Sequence, residues 1–331
     1  MLGENINICE YIWLDGNGKI RSKTRCINNK EYSDLFNEEW NYDASSTYQA
    51  SSDGDTEGIS KPRKKCKNPL IKSKFNSYII LCDTYDKHGN SLECNYRADA
   101  LKIFEQKKEE KPWFGLEQEY FIMHNNIVDI HYSKNNEHYC RGNDVKEKLI
   151  VEQHLEACLD AGLQISGLNA EVVPSQWEFQ IGPCEGIDAA DQLIIARYLL
   201  EQIAYSLMAT INYYPKLIPD KNGSGCHTNF STQKMREPGG ITEIYNAIIK
   251  LKDAHEMHME SYGKDNHLRL TGTHETAKHD EFSYGVGTRN TSVRIPNHVE
   301  KNGCGYFEDR RPASNIDPYR VTSLIFQTCC L

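Results

Sequence analysis

Four glutamates stand where acids are seldom found. Glu171 and Glu178 interrupt the apolar and aromatic run NAEVVPSQWEFQIGPCE at 169–185, and Glu117 and Glu119 interrupt the strand-like run Leu116–Tyr120. Acids among buried residues are paired or ligate a metal. A strand places residues i and i+2 on one face, so Glu117 and Glu119 are expected to point the same way. Two bare carboxylates ~4 Å apart repel by roughly 4 kcal/mol at an effective dielectric of ~20. One pKa unit is only about 1.4 kcal/mol. Such a cluster must hold protons or cations, and four acids favour cations.

His227, Glu275, Glu308 and the arginines Arg269, Arg289, Arg294 and Arg310 also interrupt apolar or glycine-rich segments. Carboxylates with one imidazole suit oxygen-seeking divalent ions such as Mg²⁺ or Mn²⁺. Two such ions with several arginines suit a polyphosphate under attack, because the arginines neutralise spreading charge. The arginines also offer bidentate sites for a carboxylate substrate. These residue types point to two-metal phosphoryl transfer or phosphate-ester hydrolysis on an acidic substrate. The alternative is scattered surface charges in local ion pairs.

The elements that must position these groups follow from pattern. Residues 6–14 and 19–26 flank the turn Asp15–Gly18 and predict a hairpin. Residues 51–60 read as an acidic loop and 61–74 as a basic loop; the basic run is a solvated face or, alternatively, a phosphate contact. A buried strand is expected at 76–85, a helix at 97–110 and a strand at 114–123. Loop or weak strand fills 124–143. Residues 144–161 predict an amphipathic helix capped by Asp144, with Val145, Leu149, Leu155, Cys158 and Leu159 on its core face. His154 lies near that face as a helix residue rather than a ligand. Strands at 163–173 and 176–181 carry Glu171 and Glu178. The longest helical pattern runs over 188–212 with Asp188 as cap, and another over 240–262 ends at Gly263. His255 and His258 read as residues of that helix face, since no HExxH or third ligand accompanies them. Between these helices, the glycines of 222–225 allow close backbone approach to a ligand, and His227 opens a strand.

A chain of 331 residues with 39% apolar and 26% charged residues can bury a substantial core. The division expected is a first, mostly β domain over 1–103 and a catalytic domain over 104–331. A formal charge of −9 argues against a general nucleic-acid surface. No apolar run reaches membrane-span length and no signal peptide is evident, so a cytoplasmic location is expected. The twelve cysteines are scattered without a CxxC, and most read as free thiols.

An ordered series of motifs then carries a resemblance: YIWLDG at 11–16, KTR at 23–25, WNYDASST at 40–47, PWFGLEQEYF at 112–121, NAEVVPSQWEFQIGPCEGI at 169–187, NGSGCHTNFST at 222–232, RLTGTHET at 269–276, SVRIP at 292–296 and GYFEDRRPASNIDPY at 305–319. Together they resemble glutamine synthetase of the eukaryotic (type II) kind over most of the chain. The resemblance implies an α+β fold: a small N-terminal β-grasp domain, then a larger domain whose curved antiparallel sheet forms an open barrel wall flanked by helices. It implies a homo-oligomeric double ring, a decamer, with active sites between subunits. The implied reaction uses ATP to phosphorylate glutamate, and ammonium then yields glutamine through γ-glutamyl phosphate.

Carried over by motif, Glu119, Glu171 and Glu178 are implied ligands of one Mg²⁺ or Mn²⁺ ion, and Glu117, His227 and Glu308 of a second. Arg269 and Arg310, with Asn222, Gly223 and His227, are implied to hold the substrate. Arg289 and Arg294 are implied to face the nucleotide phosphates, and Trp113 to lie near the nucleotide or, alternatively, in the core. Asp43, from a neighbouring subunit, is implied to deprotonate ammonium, and Glu275 to shield the intermediate from water. A ligase for a larger amine would share these acids, whereas Asp43 favours ammonium. A non-catalytic homologue would be expected to lose metal acids that are kept here. The sequence departs from the family pattern at Tyr139–Asn143, Leu268, Asn290 and both ends, where a leading helical segment and a tail are expected to be missing; none of these is a metal ligand.

Overall fold

The computed structural model describes residues 6–28, 30–50, 54–125, 127–128, 137–142 and 144–331. Its first sheet contains β1 (Ile6–Leu14), β2 (Ile20–Asn28), β3 (Trp40–Asp43), β4 (Glu57–Lys67) and β5 (Asn76–Tyr85) in the order β2-β1-β5-β4-β3. β1 and β2 form the expected hairpin. The Asp15 carboxylate closes its turn by accepting from the Asn17 and Lys19 amides at 2.8 and 2.9 Å. β1 and β5 are parallel, which brings the two most buried strands together.

β4 corrects the loops expected over 51–60 and 61–74 at Glu57–Lys67 alone; 68–74 stay outside strands, and 51–53 lie outside the described residues. Its buried positions are Gly58, Ser60, Pro62 and Cys66, alternating with charged or half-exposed residues, so no apolar alternation marks it. Pro62 is tolerated at a shift in register between Pro62 and Lys64. The basic run is engaged locally: Arg63 pairs with Asp83 at 2.7 Å, Lys61 with Glu39 at 3.3 Å, and Lys64 with Asp188.

The second sheet positions the chemistry. It contains β6 (Trp113–His124), β7 (Ile165–Ala170), β8 (Gln176–Glu185), β9 (Ala209–Asn212), β10 (Cys226–Ser231), β11 (Tyr284–Val286), β12 (Val293–Ile295) and β13 (Phe307–Asp309). The order is β11-β12-β13-β10-β6-β8-β7, with β9 on the end of β6. Within this sheet, among the described residues, only the β11–β12 pairing is parallel. The helices are α1 (Tyr96–Glu105), α2 (Val145–Asp160), α3 (Asp188–Ser206), α4 (Gln233–Arg236), α5 (Ile241–Asp253), α6 (His255–Ser261), α7 (Asn297–Asn302) and α8 (Pro318–Cys330). This is the expected α+β architecture: a β-rich N-terminal part and a larger curved sheet flanked by helices.

One face of the second sheet is core. Phe114, Leu116 and Tyr120 of β6, Phe179 and Ile181 of β8, and Phe230 of β10 are inaccessible to solvent. They share a cluster with Leu193, Ile194, Leu199 and Leu200 of α3, a helix buried on nearly every side. Each such side chain contributes about 1.5–3 kcal/mol of burial. With the apolar residues committed to one face, the other is free for polar groups.

Three helix expectations need correction. α2 is capped as expected, Asp144 accepting from the Lys146 and Glu147 amides, but its buried face is Glu147, Ile150, Val151, His154, Ala157 and Cys158. Val145, Leu149 and Leu159 are exposed. The face is rotated because polar residues find partners inside: Trp177 Nε1 donates to Glu147 at 2.9 Å, and His154 Nε2 lies 3.0 Å from the Ala196 carbonyl. α3 ends at Ser206, and 209–212 become β9 rather than further helix. Asp188 is not its N-cap; its carboxylate accepts from Gln192 and pairs with Lys64 instead. The helix expected over 240–262 is broken at Ala254 into α5 and α6.

All twelve cysteines are free. No helix among the described residues is long and apolar enough to cross a membrane.

Candidate functional site

Cross-strand register assembles the site. Glu119 of β6 faces Glu178 of β8, which faces Asn169 of β7. Glu117 stands between His227 and Gln180, and Glu308 between Arg294 and Asn229. Gln118 points the other way, its Oε1 accepting from Arg197 of α3 at 2.8 Å. Side chains directly opposite in a ladder approach to ~5 Å, and like charges there are destabilising. The expected shared orientation of Glu117 and Glu119 is therefore present, and the fold places further acids against them.

Twelve of the residues singled out in the sequence line one cavity of about 280 Å³: Glu117, Glu119, Glu171, Glu178, Asn222, Gly223, His227, Arg269, Glu275, Arg289, Arg294 and Arg310. Glu308 is fully buried beside it and pairs with Arg310 Nη1 at 2.7 Å and with Arg294. Two carboxylate–imidazole sets are close enough to grip an ion: Glu117 with His227 and Glu308, and Glu119 with Glu178 and His227. Glu171 borders the same cavity, its Oε1 accepting from Asn169 Nδ2 at 2.9 Å.

The residues present fit a divalent cation. His227 Nδ1 is buried without a hydrogen-bond partner. It lies 3.6 Å from Glu117, 4.0 Å from Glu119 and 3.5 Å from Glu308. Burial, reinforced by Arg310, holds its proton affinity well below the usual imidazole range although Glu308 opposes this. A neutral imidazole among carboxylates is a ligand set. The acids show the complementary effect. Burial, then Glu171, pushes Glu119 up to about 8, partly offset by the Gly225 amide 2.8 Å from its Oε2. Burial, then Glu117, Glu119 and Glu171, holds Glu178 well above the usual range, and burial raises Glu171.

These shifts have a sign. A carboxyl whose folded value lies above its ordinary 4.5 stabilises the fold at low pH and loses that contribution as pH rises through about 8. The cation-free protein is expected to melt at a lower temperature as pH rises across this window, and Mg²⁺ or Mn²⁺ is expected to remove most of the slope. Melting curves with and without the ion check this; a cation-free melting temperature that climbs with pH would contradict it.

The arginines are tied to the acids and to the loops. Arg310 donates through Nε to the Arg289 carbonyl at 3.0 Å and through Nη2 to the Glu275 carbonyl at 3.2 Å. His274 and Glu275 are both left-handed, with φ of 52° and 62°, an uncommon conformation for residues with a Cβ. Arg269 is buried and donates to the carbonyls of Arg310 and Arg311 at 2.9 and 2.8 Å. Burial lowers it to about 10, so it stays charged at neutral pH. Gly223 packs so closely that a Cβ would stand 2.4 Å from the Pro215 carbonyl oxygen and 2.5 Å from Arg269 Cγ.

Trp113 does not line this cavity. It lines an adjoining one of about 460 Å³ with Leu116, Pro183, Phe230 and Tyr306, and Glu117 and Gln180 border both. Arg236 lies 4.0 Å over the Trp113 ring. Arg236 and Tyr306 are not legible as site residues in the sequence, because only folding brings them to the same cavity as Trp113. Asp43 also lies outside the cavity. It ends β3 on the exposed surface, accepting from Ser45 Oγ at 2.6 Å and Ser46 Oγ at 2.7 Å, and these bonds keep its carboxyl below the usual range.

His255 and His258 take no ligand position. His255 meets the His279 carbonyl and Arg311, and His258 meets Tyr262 and Thr328. Much of the loop expected over 124–143 falls outside the described residues, Asn143 included. Within it, the described residues 137–142 bring Tyr139 to the cavity wall.

Known proteins are similar to this chain over nearly its whole length. A family model described as the glutamine synthetase catalytic domain matches residues 98–243. A glutamine synthetase of Hebeloma cylindrosporum is 46% identical over 332 residues, spanning 97% of this chain and 93% of its own. A protein of Acanthamoeba polyphaga mimivirus is 53% identical over 338 residues, spanning 98% and 95%. In fold, the chain is similar to Plasmodium falciparum glutamine synthetase, with a TM-score of 0.80 at 19% identity over 98% of this chain and 71% of that one.

Proposed function

Because the chain belongs to the glutamine synthetase family, we propose that it is an ATP-dependent ligase forming glutamine from glutamate and ammonium through γ-glutamyl phosphate. The observation that carries this reading is the unpartnered His227 Nδ1 inside a ring of carboxylates, with arginines on the same cavity wall. Glu119, Glu171 and Glu178 would hold one Mg²⁺ or Mn²⁺ ion and Glu117, His227 and Glu308 another; bound there, the ions supply the positive charge that phosphoryl transfer between anions requires.

The chain's own groups do the rest. Arg269 and Arg310, beside Asn222 and Gly223, bind the carboxylates of glutamate. Trp113, with Arg236 over its ring, borders the base of ATP, while Arg289 and Arg294 meet the phosphates. The γ-carboxylate oxygen of glutamate attacks the terminal phosphorus, and ADP leaves. Asp43, held ionised by its serines, binds ammonium and accepts its proton. Ammonia then attacks the acyl carbon and phosphate departs. The Glu275 segment, tethered to Arg310, covers the acyl phosphate against water.

Asp43 lies outside the cavity of its own chain, which favours a site completed by a neighbour in a double-ring decamer. The check is subunit mixing. Asp43→Ala and Glu178→Ala proteins should each be nearly inactive. Dissociated and reassembled together, they should regain up to about a quarter of wild-type activity from sites with two intact halves. No recovery from a reassembled mixture would contradict a shared site. Ammonium specificity is tested separately by product identification with ammonium against methylamine; a preference for the larger amine would overturn that part of the reading.

A further inference from the structure

Four acids of the site are each tied through one oxygen to a neutral carboxamide. Glu117 Oε1 accepts from Asn229 Nδ2 at 2.8 Å, Glu171 Oε1 from Asn169 Nδ2 at 2.9 Å and Glu119 Oε2 from Gln176 Nε2 at 3.4 Å. Glu178 Oε1 accepts from Gln180 Nε2. For Glu117 and Glu119 it is the other oxygen that lies nearest His227 Nδ1, Oε2 at 3.6 Å and Oε1 at 4.0 Å. Tied and facing oxygens are thus different atoms.

Gln180 does two jobs. Its Nε2 also donates to Asn169 Oδ1 at 2.9 Å, so Glu171, Asn169, Gln180 and Glu178 form one continuous hydrogen-bonded chain. Register makes this possible: Gln180 and Glu178 share a face of β8, and Asn169 sits opposite Glu178. The chemistry of the donors matters. A lysine or arginine would orient a carboxylate but repel an arriving cation. An apolar neighbour would let the carboxylate rotate. A carboxamide orients it at no cost in charge. Glu308 is the contrast, tied to Arg294 and Arg310.

We propose that Gln180 and Asn229 are positioning residues that set cation affinity, each for a different ion: Gln180 through Glu178 and Glu171, Asn229 through Glu117. This rests on the cation sites proposed above. The test is Mn²⁺ titration of the purified full-length chain, reading free Mn²⁺ by electron paramagnetic resonance, for wild type, Gln180→Leu and Asn229→Leu. Each variant is expected to weaken one class of site about 10- to 100-fold, and not the same class. Cation-free melting curves confirm that both are folded; Gln180→Ser is read in the same way should Gln180→Leu not fold. Unchanged affinity in folded variants, or equal weakening of both classes by either one, would overturn the proposal. The expected variant pattern, together with a wild-type protein that forms no glutamine, supports the positioning role and overturns the ligase reading. One that binds no Mn²⁺ overturns both.

Discussion

Glu178→Ala is expected to lower glutamine formation about a thousandfold, the effect of losing roughly 4 kcal/mol of charge stabilisation in phosphoryl transfer. Glu178 stands directly opposite Glu119 and belongs with it and His227 to one potential ligand set. The substitution removes a ligand and also leaves Gln180 with one acceptor fewer. In cation-free protein at neutral pH the melting temperature should rise rather than fall, because a repelled acid has been removed. This combination separates a ligand from a structural residue. Mn²⁺ affinity measured alongside activity decides the matter; affinity equal to wild type would contradict the assignment.

The second large effect concerns stability. Asp309→Asn is expected to destabilise the fold by about 3–5 kcal/mol, the usual cost of breaking a buried ion pair by removing one charge. Asp309 and Arg311 are both essentially inaccessible, joined at 2.9 and 2.7 Å, with Tyr262 donating to the same carboxylate at 2.8 Å. Burial alone would raise Asp309, but Arg311 and its hydrogen bonds outweigh it and hold the carboxyl below its ordinary 3.8. Its contribution is therefore present above that value and is lost only as pH falls through the lower folded value. Urea unfolding of both proteins should show a constant difference from neutral pH down to about 5, shrinking in stronger acid. Replacing both partners, Asp309→Leu with Arg311→Met, should recover much of the loss. Asp309→Asn with wild-type stability would remove the pair from the account of how β13, and with it Glu308, is held.

The site was more legible than the frame around it. Glu117, Glu119 and Glu178 declared themselves because an acid in an apolar strand has few explanations. The strand period then fixed which way they point. Asn169, Gln180 and Asn229 gave no such signal, since a carboxamide in a strand is commonplace and their partners were set by register between strands distant in sequence. β4 escaped because its buried positions are Gly58, Ser60, Pro62 and Cys66, none strongly apolar. Apolar periodicity does not mark the buried face of α2, because Glu147 and His154 are buried with hydrogen-bond partners. The helical pattern runs past the end of α3 because Ala209–Asn212 continue its apolar character while pairing with β6 as strand.

The most direct test of the central claim is glutamine formation by the purified protein, with glutamate, ammonium, ATP and Mg²⁺ together and with each omitted, paired with its mass in solution. Glutamine and phosphate are expected in equal amounts, abolished by removing any one component, from a particle of many subunits. Glutamine forming no faster than background from a correctly assembled particle would contradict the claim.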